Sequence, residues 1–580
     1  MTAPKGIRYI PAIDGLRAIA VIAVLLYHLG FSWIPGGFLG VDLFFVISGY
    51  VITRLLLDSI QRSGGLDLRG FYAGRIRRLL PPLLFMLVIT AIFVGVWAPD
   101  SMRRFLTDAP FALTGLMNWW LVFKEQDYFE SFGRPPLLQH TWSLGVEAQY
   151  YLVWPLILLF VLKVFGKKVI PTAALAIATF SGIALFLASV RADISATQDI
   201  SHVYFGTDTH SIGLFLGSAL AVSWIPQNLR INIEKRAQDF IDFIGVFGLL
   251  GILTSFLFIQ EADPTAYRIA FPLVGIFGSA IIMSIVHPAS RCAPLLQHPF
   301  LVWIGERSYA IYLWHWIVFQ VTRPAQDLTG STWALYLFRI LVVFALADIS
   351  QRWIEVPVRN GAISNWLRGM KYRTKEVQRR QKATAGLTVL ALIATITVVS
   401  NNAITIADKN NAVVKQMFKD DQVATISKID GLWVVGDSVI LGIRNELESK
   451  EHIGLINARV GRQAGELLEI IKKDKAKMQG MKTVINLGNN NRLVDTEVAE
   501  IFFELKDQPL VVVVNTAVPR TWRDENNQII QRESMNYPNI KIADWALKSE
   551  NHPEYFAPDG VHLIPAGISA YVAEIINYLY

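Results

Sequence analysis

Cysteine is almost absent: Cys292 is the only one among 580 residues, which excludes a disulfide framework and a multi-thiolate metal site in any redox compartment. The fold stands without covalent staples. Charge is scarce too, at 17% Asp, Glu, Lys and Arg against roughly 25% in soluble domains. No single basic patch exists either. The net charge is +7, but the Lys and Arg residues sit in short stretches between apolar runs, which argues against nucleic acid as a partner and for a lipid bilayer. No Ala-x-Ala site follows the first apolar run, which carries Asp14 and Arg17, so that run reads as a retained helix and not a cleaved signal peptide.

What the chain has in abundance is apolar surface: 53% hydrophobic and 12% aromatic residues, a profile that excludes disorder. Its length, about four times that of a usual single domain, asks for more than one folding unit. Runs long enough to cross a bilayer lie near 11–30, 38–58, 79–98, 147–166, 170–190, 208–225, 240–259, 267–286, 303–321, 333–351 and 384–401. That makes about eleven spans. The segment 105–122 is broken by Asp108, Pro110 and Asn118 and reads as interfacial or re-entrant, with a twelfth span as the alternative.

A cytoplasmic N-terminus puts Lys5, Arg8, Arg54, Arg62, Arg69, Arg75, Arg77, Arg78, the basic groups of 163–168 and 230–236, and the basic stretch 352–382 on one side. An odd number of spans then delivers the residues after about 402 to the outer face. The expected organisation is a polytopic helical membrane domain over 1–360, then a basic cytoplasmic stretch, a last transmembrane helix and a linker over 361–429. An extracytoplasmic domain follows over 430–580.

Ionisable groups inside the apolar runs are costly and mark function more often than structure. Arg17 and His28 are eleven residues apart, nearly one face of a helix and about 16 Å of rise, so they would line one side of a pore. His140 and Glu147 are about two turns apart. Arg75, Arg77 and Arg78 precede Pro81 and Pro82, where positive-inside anchoring explains Arg without any ligand.

These residues sit in strings that resemble membrane acyltransferase family 3. They are Ile-Asp-Gly-Leu-Arg-Ala-Ile-Ala-Val with His28, then Gly-Val-Asp-Leu-Phe-Phe-Val-Ile-Ser-Gly-Tyr at 40–50, and Arg75-x-x-Arg78 before a proline. His140-Thr-Trp-Ser-Leu with Glu147 and Ser308-Tyr-Ala-Ile-Tyr-Leu-Trp-His315 complete the series, in order over about 8–360. His210 departs from the pattern, since many members carry Arg there. The resemblance implies an acyl donor, usually acetyl-CoA, used as co-substrate from the cytoplasmic side, with His28 handling the acyl group and Arg17 as its motif partner. Arginines at the cytoplasmic mouth suit the CoA phosphates, and a pantetheine arm spans about the Arg17 to His28 separation.

From Asp430 onward short apolar runs bounded by turn residues alternate with amphipathic stretches, the pattern of an α/β doubly wound domain. Acidic residues outnumber basic ones there, which leaves no nucleic-acid footprint. Gly436-Asp437-Ser438 follows a strand and opens a helix, where a serine hydroxyl is exposed near helix N-terminal amides. Such a turn can equally be an N-cap. Asp559-Gly-Val-His562 near the C-terminus adds an acid and an imidazole three residues apart, so the order Ser, Asp, His fits a serine nucleophile with its general base.

This segment resembles the SGNH hydrolase and acetyltransferase superfamily, with Ser438, Gly461 in Arg-Val-Gly-Arg, Asn490 in Leu-Gly-Asn-Asn-Asn and His562 at the four block positions. The resemblance implies an oxyanion hole of the Ser438 amide, the Gly461 amide and the Asn490 side chain, with Asn489 or Asn491 as alternatives. Val-Asn-Thr-Ala-Val-Pro-Arg-x-Trp (514–522) and Ile-Ala-Asp-Trp (542–545) further resemble Gram-positive peptidoglycan O-acetyltransferases, or else reflect sheet and loop packing.

The expectation is an O-acetyltransferase that moves acetyl from cytoplasmic acetyl-CoA across the membrane and onto a cell-envelope glycan, peptidoglycan, through an acetyl-serine and without a metal. The alternatives are acetylation of another surface polysaccharide, an outer acetylesterase, and a glycan-binding transporter or receptor.

Overall fold

The computed structural model describes residues 9–31, 33–124, 135–194, 201–260, 264–323, 332–417, 424–427, 431–520, 522–557 and 559–580. Lys5 and Arg8, used in the orientation argument, and most of the segment 418–430 lie outside these residues.

Among the described residues nine helices are long and apolar enough to cross a membrane: Pro11–Leu29, Gly37–Arg62, Leu68–Trp97, Gln139–Val164, Lys167–Ala192, Lys235–Phe258, Tyr267–Ile285, Trp333–Arg359 and Lys375–Lys409. Many of their large apolar side chains are exposed, including Phe180, Phe243, Phe247, Leu341, Leu387 and Leu390. Such surface is stable only against lipid. The sequence count of eleven differs at two runs. The run 208–225 forms a helix of only 12 residues, Ile212–Ser223, about 18 Å long against a hydrocarbon core of about 30 Å. The run 303–321 lies in a 23-residue helix, Pro299–Val321, which buries Arg307, Ser308 and His315 inside the bundle. Its polar content lowers its hydropathy although its length suffices. Segment 105–122 divides into Met102–Thr114 and Met117–Phe123, interrupted where Gly115 takes φ +70°.

Two helices organise the interior: α1 (Pro11–Leu29) and α2 (Gly40–Ser63). The helix Pro299–Val321 runs parallel to α1 at very close range, since a Cβ built on Gly305 would fall 1.8 Å from the Asp14 carbonyl oxygen. Only glycine permits that approach, and ten residues further on it brings His315 level with His28. The last long helix, Lys375–Met417, extends to 43 residues and absorbs part of the expected linker.

The C-terminal domain is a six-stranded sheet in the order β1-β3-β2-β4-β5-β6. The strands are β1 (Ala424–Ser427), β2 (Leu432–Gly436), β3 (Ile453–Ala458), β4 (Thr483–Asn486), β5 (Val511–Val514) and β6 (Ile540–Ala543). All neighbours pair in parallel except β1, an antiparallel edge strand on β3 that precedes the expected boundary at 430. Alternate residues face opposite layers. Val434, Val484 and Val512 pack with Ile440 and Tyr571 on one side, and Trp433, Ile485 and Val513 pack with Leu467 and Phe502 on the other. Because β3 and β4 flank β2 on opposite sides, the carboxyl end of β2 is the topological switch point, where open α/β sheets bind ligands.

Candidate active site

Ser438 sits at that switch point, the first residue of the helix Ser438–Lys450. Its Oγ lies 3.0 Å from His562 Nε2, and His562 Nδ1 lies 2.6 Å from Asp559 Oδ2. The other carboxylate oxygen of Asp559 accepts from the Val561 and His562 amides at 2.9 and 3.0 Å. A bridge between Phe556 and Leu563 closes this loop beneath them. Burial raises the Asp559 carboxyl, but the His562 hydrogen bond and charge and the two amides outweigh it and hold the group below its ordinary range. An ionised carboxylate thus fixes a proton on His562 Nδ1 and leaves Nε2 to take one from Ser438.

The Gly-Asp-Ser turn serves both readings offered by the sequence. Asp437 is the N-cap, accepting from the Val439 amide at 2.9 Å, while Ser438 faces the imidazole. Asp437 also gathers Asn486, Asn489 and Asn490, whose amides donate to it at 2.7, 3.0 and 2.8 Å. Burial pushes its carboxyl up, against the pull of the Asn486 and Val439 hydrogen bonds. Gly461 takes φ +77°, and the following Arg462 donates to the Gly436 carbonyl at 3.0 Å, tying this turn to the end of β2. Asn490 spends its second N–H on the Arg462 carbonyl at 3.0 Å. It can therefore serve an oxyanion only by exchanging one of these acceptors. Asn489 is held between Asp437 and the Thr516 hydroxyl, and Asn491 donates to the Arg492 carbonyl.

In the helical module a cavity of about 1370 Å³ lies at the end where α1 begins. It exceeds the roughly 300–1,000 Å³ of ordinary small-molecule sites. Arg17, Arg54, Arg75, Arg78, Arg352 and Arg359 line it together with Glu147 and Glu355. Arg17 pairs with Asp14 at 3.0 Å. Glu147 accepts from Ser48 at 2.6 Å and from Tyr151 at 3.0 Å. Glu355 ends a π-helical turn, Ser350–Glu355, a device that recurs at functional sites.

His28, His140 and His315 lie outside this cavity lining. They cluster beyond the hydrogen-bonded pair Ser143 and Tyr312, 2.8 Å apart, which does line it. His28 Nδ1 and His315 Nε2 are 3.1 Å apart, and the His140 and His315 ring centres are 5.8 Å apart. Arg17 thus lines the cavity, whereas His28, on the same helix, does not. Glu147 lines the cavity and His140 does not; His140 sits in the turn Gln139–Thr141 that opens the helix carrying Glu147. His210 faces acceptors at both nitrogens, Asp42 at 2.9 Å and the Tyr204 carbonyl at 2.6 Å. Both ring nitrogens are thereby engaged within the bundle.

Ser48, Ser143, Tyr151, Tyr312 and Glu355 were not singled out by the sequence reading. Ser48, Ser143 and Tyr312 lie inside strings quoted above, and their signal was a hydroxyl within an apolar run that also carries ionisable residues. Glu355 offered only an acid at the edge of an apolar run.

A family model described as an acyltransferase domain matches residues 10–352. The peptidoglycan O-acetyltransferase OatA of Listeria monocytogenes is 32% identical over 618 residues, covering 99% of this chain and 98% of that protein. The putative peptidoglycan O-acetyltransferase YrhL of Bacillus subtilis is 31% identical, covering 98% of each. The O-acetyltransferase OatA of Staphylococcus aureus strain MRSA252 is 34% identical, covering 98% of this chain and 96% of that protein. Among solved structures, the C-terminal catalytic domain of Streptococcus pneumoniae OatA with a methylsulfonyl adduct aligns at 26% identity. It covers 26% of this chain and 92% of that one, with a TM-score of 0.24.

Proposed function

Since the chain belongs to the acyltransferase family matched over residues 10–352 and is a membrane acyltransferase, we propose that it O-acetylates peptidoglycan in two stages. The relatives' names support the acceptor. The observation that carries the second stage is the Ser438, His562 and Asp559 array at the switch point, with separations of 3.0 and 2.6 Å.

In the first stage acetyl-CoA is the donor substrate, taken from the cytoplasm. The fit is one of charge and size: arginines line a large cavity whose inner wall ends at Tyr312 and Ser143. Arg17, Arg75 and Arg78 suit the phosphates, and the substrate supplies an activated acyl group. His28 receives the reacting end past the Tyr312 wall. The orientation that serves this scheme is a cytoplasmic N-terminus and an extracytoplasmic C-terminal domain. It is supported by the gathering of Arg54, Arg75, Arg78, Arg352 and Arg359 at the end where α1 starts.

In the second stage His562 Nε2 takes the Ser438 proton as Oγ attacks the acetyl carbonyl, and returns it to the group that leaves when the acetyl ester forms. The neutral imidazole then takes the proton of a sugar hydroxyl as that oxygen attacks the ester, and passes it to Ser438 Oγ as the serine ester bond breaks. The Ser438 and Gly461 amides receive the oxyanion, with Asn490 joining by exchange of its Arg462 contact. A hydrolase would use the same serine, but it needs no donor cavity.

The test is the acetate content of purified wall glycan from deletion cells complemented with wild type or Ser438→Ala, expression being matched by immunoblot. Wild type restores acetylation and Ser438→Ala does not. Equal restoration by both would remove the serine mechanism.

A further inference from the structure

The string 514–522 divides in two in the structure. Its first half is packing. Asn515 donates to Asp544 Oδ1 at 2.7 Å and accepts from the Ala546 amide at 2.9 Å, so the strings 514–522 and 542–545 hold each other. Thr516 donates to Asn489 at 2.6 Å. The second half does none of this. Arg520 Nη2 and Trp522 Nε1 are both shut off from solvent and have no hydrogen-bond partner. Buried donors without a partner are rare, and a charged one is the most expensive kind.

These two donors share one place, since the Arg520 guanidinium lies 5.7 Å from the centre of the Trp522 ring. That place adjoins the triad. A Cβ on Gly560, which takes φ +69° between Asp559 and His562, would come within 3.3 Å of Pro519, the residue before Arg520. Arg520 is also within electrostatic reach of Asp559. The oxyanion candidates, Gly461 and Asn490, belong to different loops, those that follow β3 and β4. An acceptor hydroxyl, by contrast, must approach His562 Nε2 to lose its proton, and so enters on the Asp559 and His562 side.

We propose that Arg520 and Trp522 position the acceptor sugar, donating hydrogen bonds to a carbonyl or carboxylate oxygen that it carries. This deepens the reading of the C-terminal domain as a transferase and rests on it. The planar guanidinium suits sp² oxygen acceptors, and peptidoglycan sugars offer two, an N-acetyl carbonyl with one oxygen and a lactyl carboxylate with a pair. Burial and the Arg323 guanidinium, beyond the end of the helix that carries His315, disfavour an isolated charge on Arg520. An acceptor oxygen would relieve both effects.

The experiment uses the full chain purified in detergent, a small activated acetyl ester as donor, and two acceptors. One is an N-acetylglucosamine tetramer and the other a tetramer containing muramic acid with a free lactyl carboxylate. Arg520→Gln is expected to change ester hydrolysis without acceptor by less than about twofold, and to lower kcat/KM for transfer by about tenfold or more through the acceptor KM. Arg520→Lys should recover part of the loss as a point charge, and Trp522→Phe should give a smaller one. Loss with both acceptors supports the contact through the N-acetyl carbonyl, and loss confined to the muramic acceptor supports it through the carboxylate. Hydrolysis falling in parallel with transfer, or transfer unchanged with both acceptors, overturns the assignment. If melting curves show Arg520→Gln to be unfolded, Arg520→Lys and Trp522→Phe decide by the same criteria. A wild type that hydrolyses the ester through Ser438 yet transfers to neither acceptor overturns the transferase reading itself, and this assignment with it.

Discussion

His28 Nδ1 and His315 Nε2 are 3.1 Å apart, and His315 Nδ1 faces the Tyr312 carbonyl at 2.7 Å. A carbonyl only accepts, so His315 carries its proton on Nδ1 and offers a lone pair at Nε2. The bridging proton then belongs to His28 Nδ1, which leaves His28 Nε2 as the atom able to act as base or nucleophile.

His315 is accordingly a positioning residue for His28. His315→Ala should lower acetylation of wall glycan by about 100-fold. His315→Gln, whose side-chain carbonyl can still accept from His28, should retain more of it. Hydrolysis of a soluble acetyl ester at Ser438 should stay unchanged in both, because His315 lies outside that domain. Equal loss in the two variants would reduce His315 to packing.

Asp559 is held below the ordinary carboxylate value of about 3.9. It binds its proton more weakly folded than unfolded, so its contribution to stability is present above that value and is lost as pH falls through the lower folded one. Asp559→Asn should therefore be less stable than wild type at neutral pH, with the gap closing below about pH 4. Its ester hydrolysis should drop by roughly 10²–10⁴-fold. Thermal melts and rate profiles across pH check both parts.

Asp437 satisfies three asparagine side chains and a backbone amide. Asp437→Ala strands these donors in a buried place and should destabilise the protein by about 3 kcal/mol. Loss of the helix cap should misplace Ser438 as well. Denaturation followed through Trp433 and Trp545, both buried in this domain, measures the first effect, and ester hydrolysis the second.

Gly305 sets the distance between the two histidine helices, and its Cβ position lies 1.8 Å from the Asp14 carbonyl oxygen. Gly305→Ala must push them apart, at a cost of about 1–3 kcal/mol, and should weaken acetylation although no polar group is lost. A melting temperature equal to wild type would contradict the close packing.

The residues legible in the sequence are those whose neighbours are local or whose chemistry is unusual for their surroundings. Ser438 announces itself in a strand-turn-helix string, and Asp559 and His562 share one short loop. Asp437 as a hub did not, because its asparagine partners are 49 to 53 residues away. Helical periodicity put Arg17 and His28 on one face, but the Tyr312 and Ser143 pair that lines the cavity on the His28 side comes from two other helices. His140 and Glu147 share the helical run Gln139–Val164, but only Glu147 reaches the cavity, a difference set by packing against other helices. The runs 208–225 and 303–321 were read by hydropathy alone, which records neither how short the first helix is nor that the second is buried among its neighbours.

The central claim is that acetyl passes from the helical module to Ser438. Mass spectrometry of the Ser438 peptide tests it most directly, after full-length protein in vesicles has been given acetyl-CoA on the side of the arginine-lined cavity and then quenched in acid. Wild type should carry an acetyl group on Ser438. His28→Ala should carry none from acetyl-CoA, yet still be acetylated at Ser438 by a soluble activated ester. Equal labelling of Ser438 from acetyl-CoA in wild type and His28→Ala would contradict the account.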